Sequence, residues 1–379
     1  MRLVNKTDLK NKTVLLRVDF NLPMDQGGNI IDDNRVMEAI PTIKYILNSD
    51  IKKLILISHL GRPVIRNKEI VSRIVSGNAG LIMKPIAERL CKILKLDDKI
   101  EEVDIDFDLG LYKLSDKLFL MENIRFIDGE QKCDPVFCKK LASLGDIFVF
   151  DAFATAHHAS CSVSGLSKFL PTYAGFLVKK EMEHLDKIVS KLHKPFVVVL
   201  GGAKISDKIL VMKNLIKKAD YFLLGGVMAN TFLASRGIDM KNSIVEKDRI
   251  NIAEGLMREA AKKIILPVDL IWNRDKAVDL GKETIRQFAR YISKAQMIFI
   301  NGTMGLTSMG MDKYAVGTRE VLKLISNNKD AITIASGGDT VAEVDKAKLA
   351  GRFSYVSTGG GATLEFLAGK KLPGLEALK

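Results

Sequence analysis

Arg35, Arg62 and Arg125, with His59, Asp19 and Asn21, are residue types suited to holding a small phosphorylated acid. A guanidinium grips phosphate or carboxylate through a planar fork of donors, and a carboxylate or amide beside it takes a hydroxyl group or orients an arginine. All but Arg35 sit in Arg17-Val18-Asp19-Phe20-Asn21, Ser58-His59-Leu60-Gly61-Arg62 and Glu122-Asn123-Ile124-Arg125, each at the end of a short apolar run. One arginine alone is ordinarily a surface residue, and one aspartate after a strand ordinarily a cap. Three such strand ends together point to a pocket.

A second kind of chemistry is written in glycine. Leu200-Gly201-Gly202-Ala203-Lys204-Ile205-Ser206-Asp207-Lys208 follows the β-branched run Phe196-Val197-Val198-Val199. Glycines there let the backbone approach a ligand closely. A helix beginning near Ile205 would turn its free N–H groups toward an anion, with Lys204 and Lys208 adding charge one turn apart. An ordinary strand-to-helix turn with two solvated lysines is the other reading, and the stretch matches neither the Walker nor the dinucleotide spacing. Gly337-Gly338-Asp339-Thr340 offers N–H groups, a hydroxyl and a carboxylate suited to Mg²⁺ already chelated by nucleotide phosphates, although Asp339 could equally cap a helix. Gly359-Gly360-Gly361 supplies a further helix start.

The elements that must position these groups are short apolar runs. They are Val14–Val18, Leu54–Ile57, Leu118–Met121, Ile147–Phe150, Phe196–Leu200, Tyr221–Leu224, Ile264–Leu266, Met297–Ile300, Ala331–Ala335 and Phe353–Val356. Stretches of helical periodicity separate them, so the pattern is βαβ and the fold class α/β with parallel sheets. Ligands of such sheets bind beyond the carboxyl ends of the strands. The first half therefore builds a cationic side-chain cleft and the second a backbone cleft. A length of 379 residues suggests two domains. Pro171–Leu177 followed by 178–191 reads as a connecting helix with flexible ends, which would let the halves close by hinge motion. Leu372-Pro373-Gly374 is turn chemistry with a structural role.

A net charge of +13 favours anionic partners without choosing among them. No groove-reading motif is evident, so nucleic acid is not expected. No apolar run approaches the ~18 residues that span a bilayer, and the polar start has no signal-peptide core, so a cytoplasmic protein without membrane contact is expected. Cys91, Cys133, Cys138 and Cys161 form no CxxC pair, and reduced thiols are expected. His157-His158 is not expected to hold zinc, because neighbouring side chains diverge and no cluster completes four ligands.

In number and order the motifs resemble those of the phosphoglycerate kinase family. The resemblance runs from Arg17 to the Leu372-Pro373-Gly374 turn, through RVDFN at Arg17, PTI at Pro41, SHLGRP at Ser58, ENIRF at Glu122 and DAFATAH at Asp151. It continues with GGAKISDK at Gly201, GGVMANTF at Gly225, NGTMG at Asn301, GGDT at Gly337 and STGGGATLE at Ser357. It implies two Rossmann-like three-layer α/β/α domains joined by a hinge helix: residues 1–172 for phosphoglycerate, 173–191 as the helix, 192–361 for nucleotide, and a tail from about 362 to 379 packed back on the first. It implies a monomeric enzyme that moves a phosphoryl group between 1,3-bisphosphoglycerate and ADP, giving 3-phosphoglycerate and ATP, with Mg²⁺ bound to the nucleotide through Asp339. Asp19, Phe20, Asn21, Arg35, His59, Leu60, Gly61, Arg62, Arg125 and His158 would serve the acid. Gly202, Ala203, Lys204, Lys208, Asn301, Ser308, Gly337, Gly338, Asp339 and Thr340 would serve the nucleotide, with Arg35 and Lys204 catalytic. The family carries Arg in place of His158, Pro in place of Thr303 and a ribose-binding Glu in place of Ser308. A binding protein without turnover, or a kinase for another small carboxylate, remains open at this point.

Overall fold

The continuous apolar runs become strands buried on both faces, as parallel sheets require. They are seen in a computed structural model that describes all residues except 64, 67–68, 71–80, 98, 106–108, 191, 203, 207, 261 and 308–311. The chain divides into two units, Met1–Met182 with Lys371–Lys379, and Glu183–Lys370.

In the first unit β1 (Thr13–Arg17), β2 (Lys53–Ile57), β7 (Leu118–Met121), β8 (Ile147–Phe150) and β9 (Thr172–Ala174) run parallel. Between β2 and β7 in sequence lie a separate hairpin, β3 (Ile65–Arg66) and β4 (Glu69–Ile70), and the strands β5 (Glu101–Val103) and β6 (Leu111–Lys113). The sheet order is β5-β6-β7-β2-β1-β8-β9. Val14, Leu16, Leu54, Leu56 and Val149 pack with Ile40 and Ile43 of the helix Asn34–Leu47 and with Ile86 and Leu90 of the helix Lys84–Leu94. The chain leaves β1 toward β2 and β7 and returns to the other side of β1 as β8, which opens a crevice at the carboxyl ends. Gly374 N bonds to Ala156 O at 2.8 Å, so the Pro-Gly turn anchors the last residues to this unit.

In the second unit β10 (Phe196–Leu200), β11 (Tyr221–Leu224) and β12 (Ile264–Ile265) precede the hairpin β13 (Leu270–Asn273) and β14 (Lys276–Leu280). The strands β15 (Met297–Asn301), β16 (Ile332–Ser336) and β17 (Tyr355–Ser357) follow, and the all-parallel order is β12-β11-β10-β15-β16-β17. Val197, Val199, Ile298 and Ile300 pack with Phe288 and Ile292 of the helix Lys282–Ile292 and with Val321 and Ile325 of the helix Val316–Asn327. The order reverses between β10 and β15, and the glycine loops cluster there.

Four expectations need correction. The first sheet is mixed, because β5 and β6 pair antiparallel at its edge. Each has three residues; β5, with Glu101 and Glu102 exposed, carries the polar signature of a blunted edge, while β6, with Leu111 and Tyr112 buried, is too short to read as a strand. Thr172–Ala174, taken as a flexible helix end, is an edge strand paired with β8, and the helix runs Phe176–Ser190. The helix after the glycine loop starts at Ile209, not near Ile205, because Ile205 is a buried anchor whose N–H is taken by the Glu246 carboxylate. The cysteines are not all reduced thiols: Cys138 and Cys161 form a disulfide, since the fold brings residues far apart in sequence to a Cα separation of 5.2 Å.

Candidate active site

In the first unit the strand ends converge. Arg17 is buried, its Nη1 donating to Val18 O and, at 3.3 Å, to Ile57 O, and its Nη2 lying 2.9 Å from His59 Nδ1. A guanidinium only donates, so His59 Nδ1 accepts and its proton sits on Nε2. Burial pushes the His59 pKa well below 6.5, and the charges of Arg17, Arg125, Arg35 and His158 push it further. His59 is thus a neutral donor among cations. Burial also lowers Arg17 to about 10, against the opposing pull of Glu130 and Asp19, so it remains charged at neutral pH.

Asp19 orients two of the expected residues, accepting from Arg35 Nη1 at 2.5 Å and from Asn21 N at 3.2 Å. The Asn21 side chain accepts from Gly61 N at 2.8 Å, and Arg125 Nη1 donates to Gly61 O at 2.8 Å, so this glycine is held between them. Gly61 has φ +61°, a left-handed conformation that favours glycine, and a Cβ there would stand 2.5 Å from Leu81 Cδ2. Arg62 is exposed and near Arg125, whose pKa is lowered by burial and also by the Arg62 charge. Phe20 and Leu60 are buried. Their polar groups are engaged within the protein, Phe20 N with Ser58 Oγ at 2.8 Å and Leu60 with the Asn123 side chain. They shape the loops by packing.

A cavity in this unit is lined by Arg17, Arg125, Glu130, Thr155, His158 and Ser160, among others. His158 is exposed, and its ring lies 4.0 Å from that of His157, so the two neighbouring rings pack together and do not diverge as expected. Sequence reasoning missed Glu130. Its carboxylate accepts from Ser160 Oγ at 2.7 Å and from Ser162 Oγ at 2.6 Å and N at 3.0 Å, and its charge supports Arg17 and Arg125. In Asp128-Gly129-Glu130-Gln131-Lys132 it looks like one more solvated acid. Arg17 was visible only as the first letter of a motif.

In the second unit Gly202, Lys204, Lys208, Asn301, Gly337, Gly338, Asp339 and Thr340 line one cavity with Gly302, Gly360, Gly361 and Leu364. Ala203 and Ser308 lie outside the described residues. Asn301 Nδ2 donates to Ser336 O at 3.0 Å, and Thr340 Oγ1 accepts from Gly302 N at 2.7 Å, which leaves the hydroxyl proton for a ligand. Gly302 has φ +93°, and a Cβ there would meet Gly201 O at 2.3 Å; the two loops touch backbone to backbone. Lys208 is buried and Lys204 exposed. Asp339 is exposed in the first turn of the helix Gly338–Lys346, where Gly337 is the cap, so the alternative of Asp339 as the cap does not hold.

A second cavity shares Gly202 and Asp339 with the first and is lined by Val227, Leu270, Val278, Met304 and Leu306. Nothing in the motifs singled out this apolar cleft, whose walls come from a helix, the unforeseen hairpin β13–β14 and the loop after β15. An apolar slot opening onto a glycine-lined, lysine-bearing cradle suits a flat base attached to phosphates. One exposed carboxylate at the junction fits Mg²⁺, which is held through one or two carboxylates plus ligand phosphates.

The sequence profile of the family described as "Phosphoglycerate kinase" matches residues 4–370. Among curated proteins the chain is 41% identical to "Phosphoglycerate kinase" of Dictyoglomus turgidum, over 98% of this chain and 96% of that one. It is 40% identical to the protein of the same name from Coprothermobacter proteolyticus, over 100% and 98%. Among solved structures, phosphoglycerate kinase from Pyrococcus horikoshii OT3 superposes with a TM-score of 0.83 at 31% identity, covering 100% of this chain and 98% of that one. The enzyme from Coxiella burnetii gives 0.80 at 34% identity, covering 98% and 96%.

Proposed function

Since this chain belongs to the phosphoglycerate kinase family, whose members are phosphotransferases with a carboxyl acceptor, we propose that its first unit binds 3-phosphoglycerate or 1,3-bisphosphoglycerate and its second binds ATP or ADP. The observation that carries this reading is the second unit's gathering of Gly202, Lys204, Lys208, Asn301, Gly337, Asp339 and Thr340 around one cavity contiguous with an apolar cleft. Val278, Met304 and Leu306 take the base, and the glycine loops and lysines take the phosphates. Arg17, Arg62, Arg125 and His158 hold the phosphate of the acid, Asp19 and Asn21 its hydroxyl, and His59 donates through Nε2.

In the ATP-consuming direction the nucleophile is a carboxylate, ionised at neutral pH, so no general base is needed. Positioning and neutralisation of charge on the transferring phosphoryl group suffice. Arg35, aimed by Asp19, and Lys204 supply that charge. Mg²⁺ held by Asp339 and the nucleotide phosphates would offset the charge of the bridging oxygens. Nucleic acid is not proposed as a partner, because the sequence carries no groove-reading motif, and no helix among the described residues is long and apolar enough to cross a membrane.

The test is an ATP-dependent assay with 3-phosphoglycerate beside glycerate, acetate and aspartate. Turnover with 3-phosphoglycerate alone is expected. Binding of both ligands without turnover would make the chain a binding protein, and preference for another acid would make it a different carboxylate kinase.

A further inference from the structure

Away from the residues assigned to substrates, three cysteines share one place in the first unit. Cys133 closes the short helix Asp128–Lys132 in a left-handed conformation, φ +50°, which lets the chain turn at once into the helix Pro135–Ala142 carrying Cys138. Cys161 opens the turn Cys161–Gly165 that packs against them. The three Sγ atoms lie within 4.8 Å of one another, with Cys133 Sγ 3.8 Å from Cys138 Sγ. Gly165 makes the room: a Cβ there would stand 2.6 Å from Cys138 Sγ and 3.0 Å from Cys133 Sγ.

Two chemistries are open to a thiol beside a disulfide. Attack by Cys133 on Cys138 would need Cys133 in line with the Cys138–Cys161 bond. That would put Cys133 and Cys161 roughly 6 Å apart, adding ~2.05 Å for the bond to the observed approach. They are within 4.8 Å, so the sulfurs surround a common centre and do not lie along a line. A metal centre asks for this arrangement. Thiolates ~2.3 Å from a tetrahedral zinc sit ~3.8 Å apart, the separation already held by Cys133 and Cys138.

We infer that reduction of the Cys138–Cys161 disulfide turns this cluster into a site for one soft d10 cation, Cu⁺ or Zn²⁺, bound by the thiolates of Cys133, Cys138 and Cys161. A dithiol opens the disulfide by supplying two electrons and two protons and closes to its own disulfide; a phosphine supplies the two electrons and becomes the phosphine oxide, with water giving that oxygen and the two thiol protons. The cation then displaces the three thiol protons without changing its own charge. Thiolate sulfur selects these ions over hard cations. Cys138 and Cys161 are buried while Cys133 is partly exposed, so the ion enters on the Cys133 side, where water can complete four-coordination for zinc and Cu⁺ can stop at three ligands. Burial pushes the Cys133 thiol up, and the Lys168 charge opposes that rise only in part. Glu130 is engaged by Ser160 and Ser162 and is not a ligand. The disulfide and the metal exclude each other, so occupancy follows the redox state.

The full chain, reduced with a phosphine and desalted without oxygen, is titrated with Zn²⁺ and, separately, with Cu⁺ against a competing chelator. One equivalent of at least one ion should bind, and none should bind to the oxidised protein. Cys133→Ser and Cys138→Ser should each weaken binding by at least ~10-fold, and Cys91→Ser should not. The two titrations decide between the ions. Mass mapping of alkylated wild type keeps the test independent of variants that fail to fold: bound metal should protect Cys133, Cys138 and Cys161 together. Substoichiometric binding of both ions, full affinity in folded Cys133→Ser, or unprotected cysteines would overturn the proposal.

Discussion

Arg17 Nη2 lies 2.9 Å from His59 Nδ1, both side chains are buried, and the contact fixes His59 as a neutral donor through Nε2. The unfolded chain takes up a proton on His59 near pH ~6.5, whereas the folded chain resists it to well below that. The unfolded state then binds more protons, so stability is held above pH ~6.5 and lost as pH falls below it. The thermal midpoint of the wild type should drop more steeply between about pH 6.5 and 5 than that of His59→Gln. Equal slopes would show that His59 does not enter that linkage.

Asp151 should act with the opposite sign. Burial pushes its carboxyl up to about 7, against hydrogen bonds from Thr42 and from the N–H groups of Val178 and Leu177. The folded chain keeps a proton that the unfolded chain releases near pH ~4, so this contribution is full below pH ~4 and lost as pH rises through about 7. Its span is up to ~4 kcal/mol. Denaturant unfolding of Asp151→Asn should show a flatter pH profile over that window, and an unchanged profile would place the proton elsewhere.

Arg35→Ala and Lys204→Ala should each lower kcat by at least roughly 10²-fold, the cost of removing a charge that meets the transition state. Both should fold. The Arg35–Asp19 pair is about a third exposed on the arginine side, and such pairs contribute only ~0–1 kcal/mol to stability. Steady-state rates with circular dichroism decide it; a folded variant with full kcat loses the assigned role.

His158 stands exposed on the wall that also bears Arg17 and Arg125. An arginine there would carry a permanent charge and a two-pronged donor. His158→Arg should bind 3-phosphoglycerate more tightly, by ~10-fold for one added charge-assisted contact, and with less dependence on pH between about 6 and 8. Equal affinities and slopes in both proteins would remove His158 from the acid site.

Much of this was legible because burial writes itself into composition. Phe196–Leu200 is apolar at every position and buried at every position, and the loops after such strands kept their glycines and arginines in register with the sites. What escaped depends on distant partners. Glu102 and Tyr112 pair across an edge too short to show a period. Glu130 is buried only because Ser160 and Ser162 return to bind it. Cys138 finds Cys161 through the packing of a helix on a turn, which no spacing rule encodes.

The central claim, acid on one unit and nucleotide on the other, is tested most directly by calorimetry of 3-phosphoglycerate and of Mg-ADP on wild type, Arg125→Ala and Lys208→Met. Each variant removes one charged donor, worth ~1.5–3 kcal/mol or at least ~10-fold in affinity. Arg125→Ala should lose that factor for the acid and keep its affinity for the nucleotide, and Lys208→Met should do the reverse. Loss of nucleotide binding in Arg125→Ala, or of acid binding in Lys208→Met, would contradict the assignment.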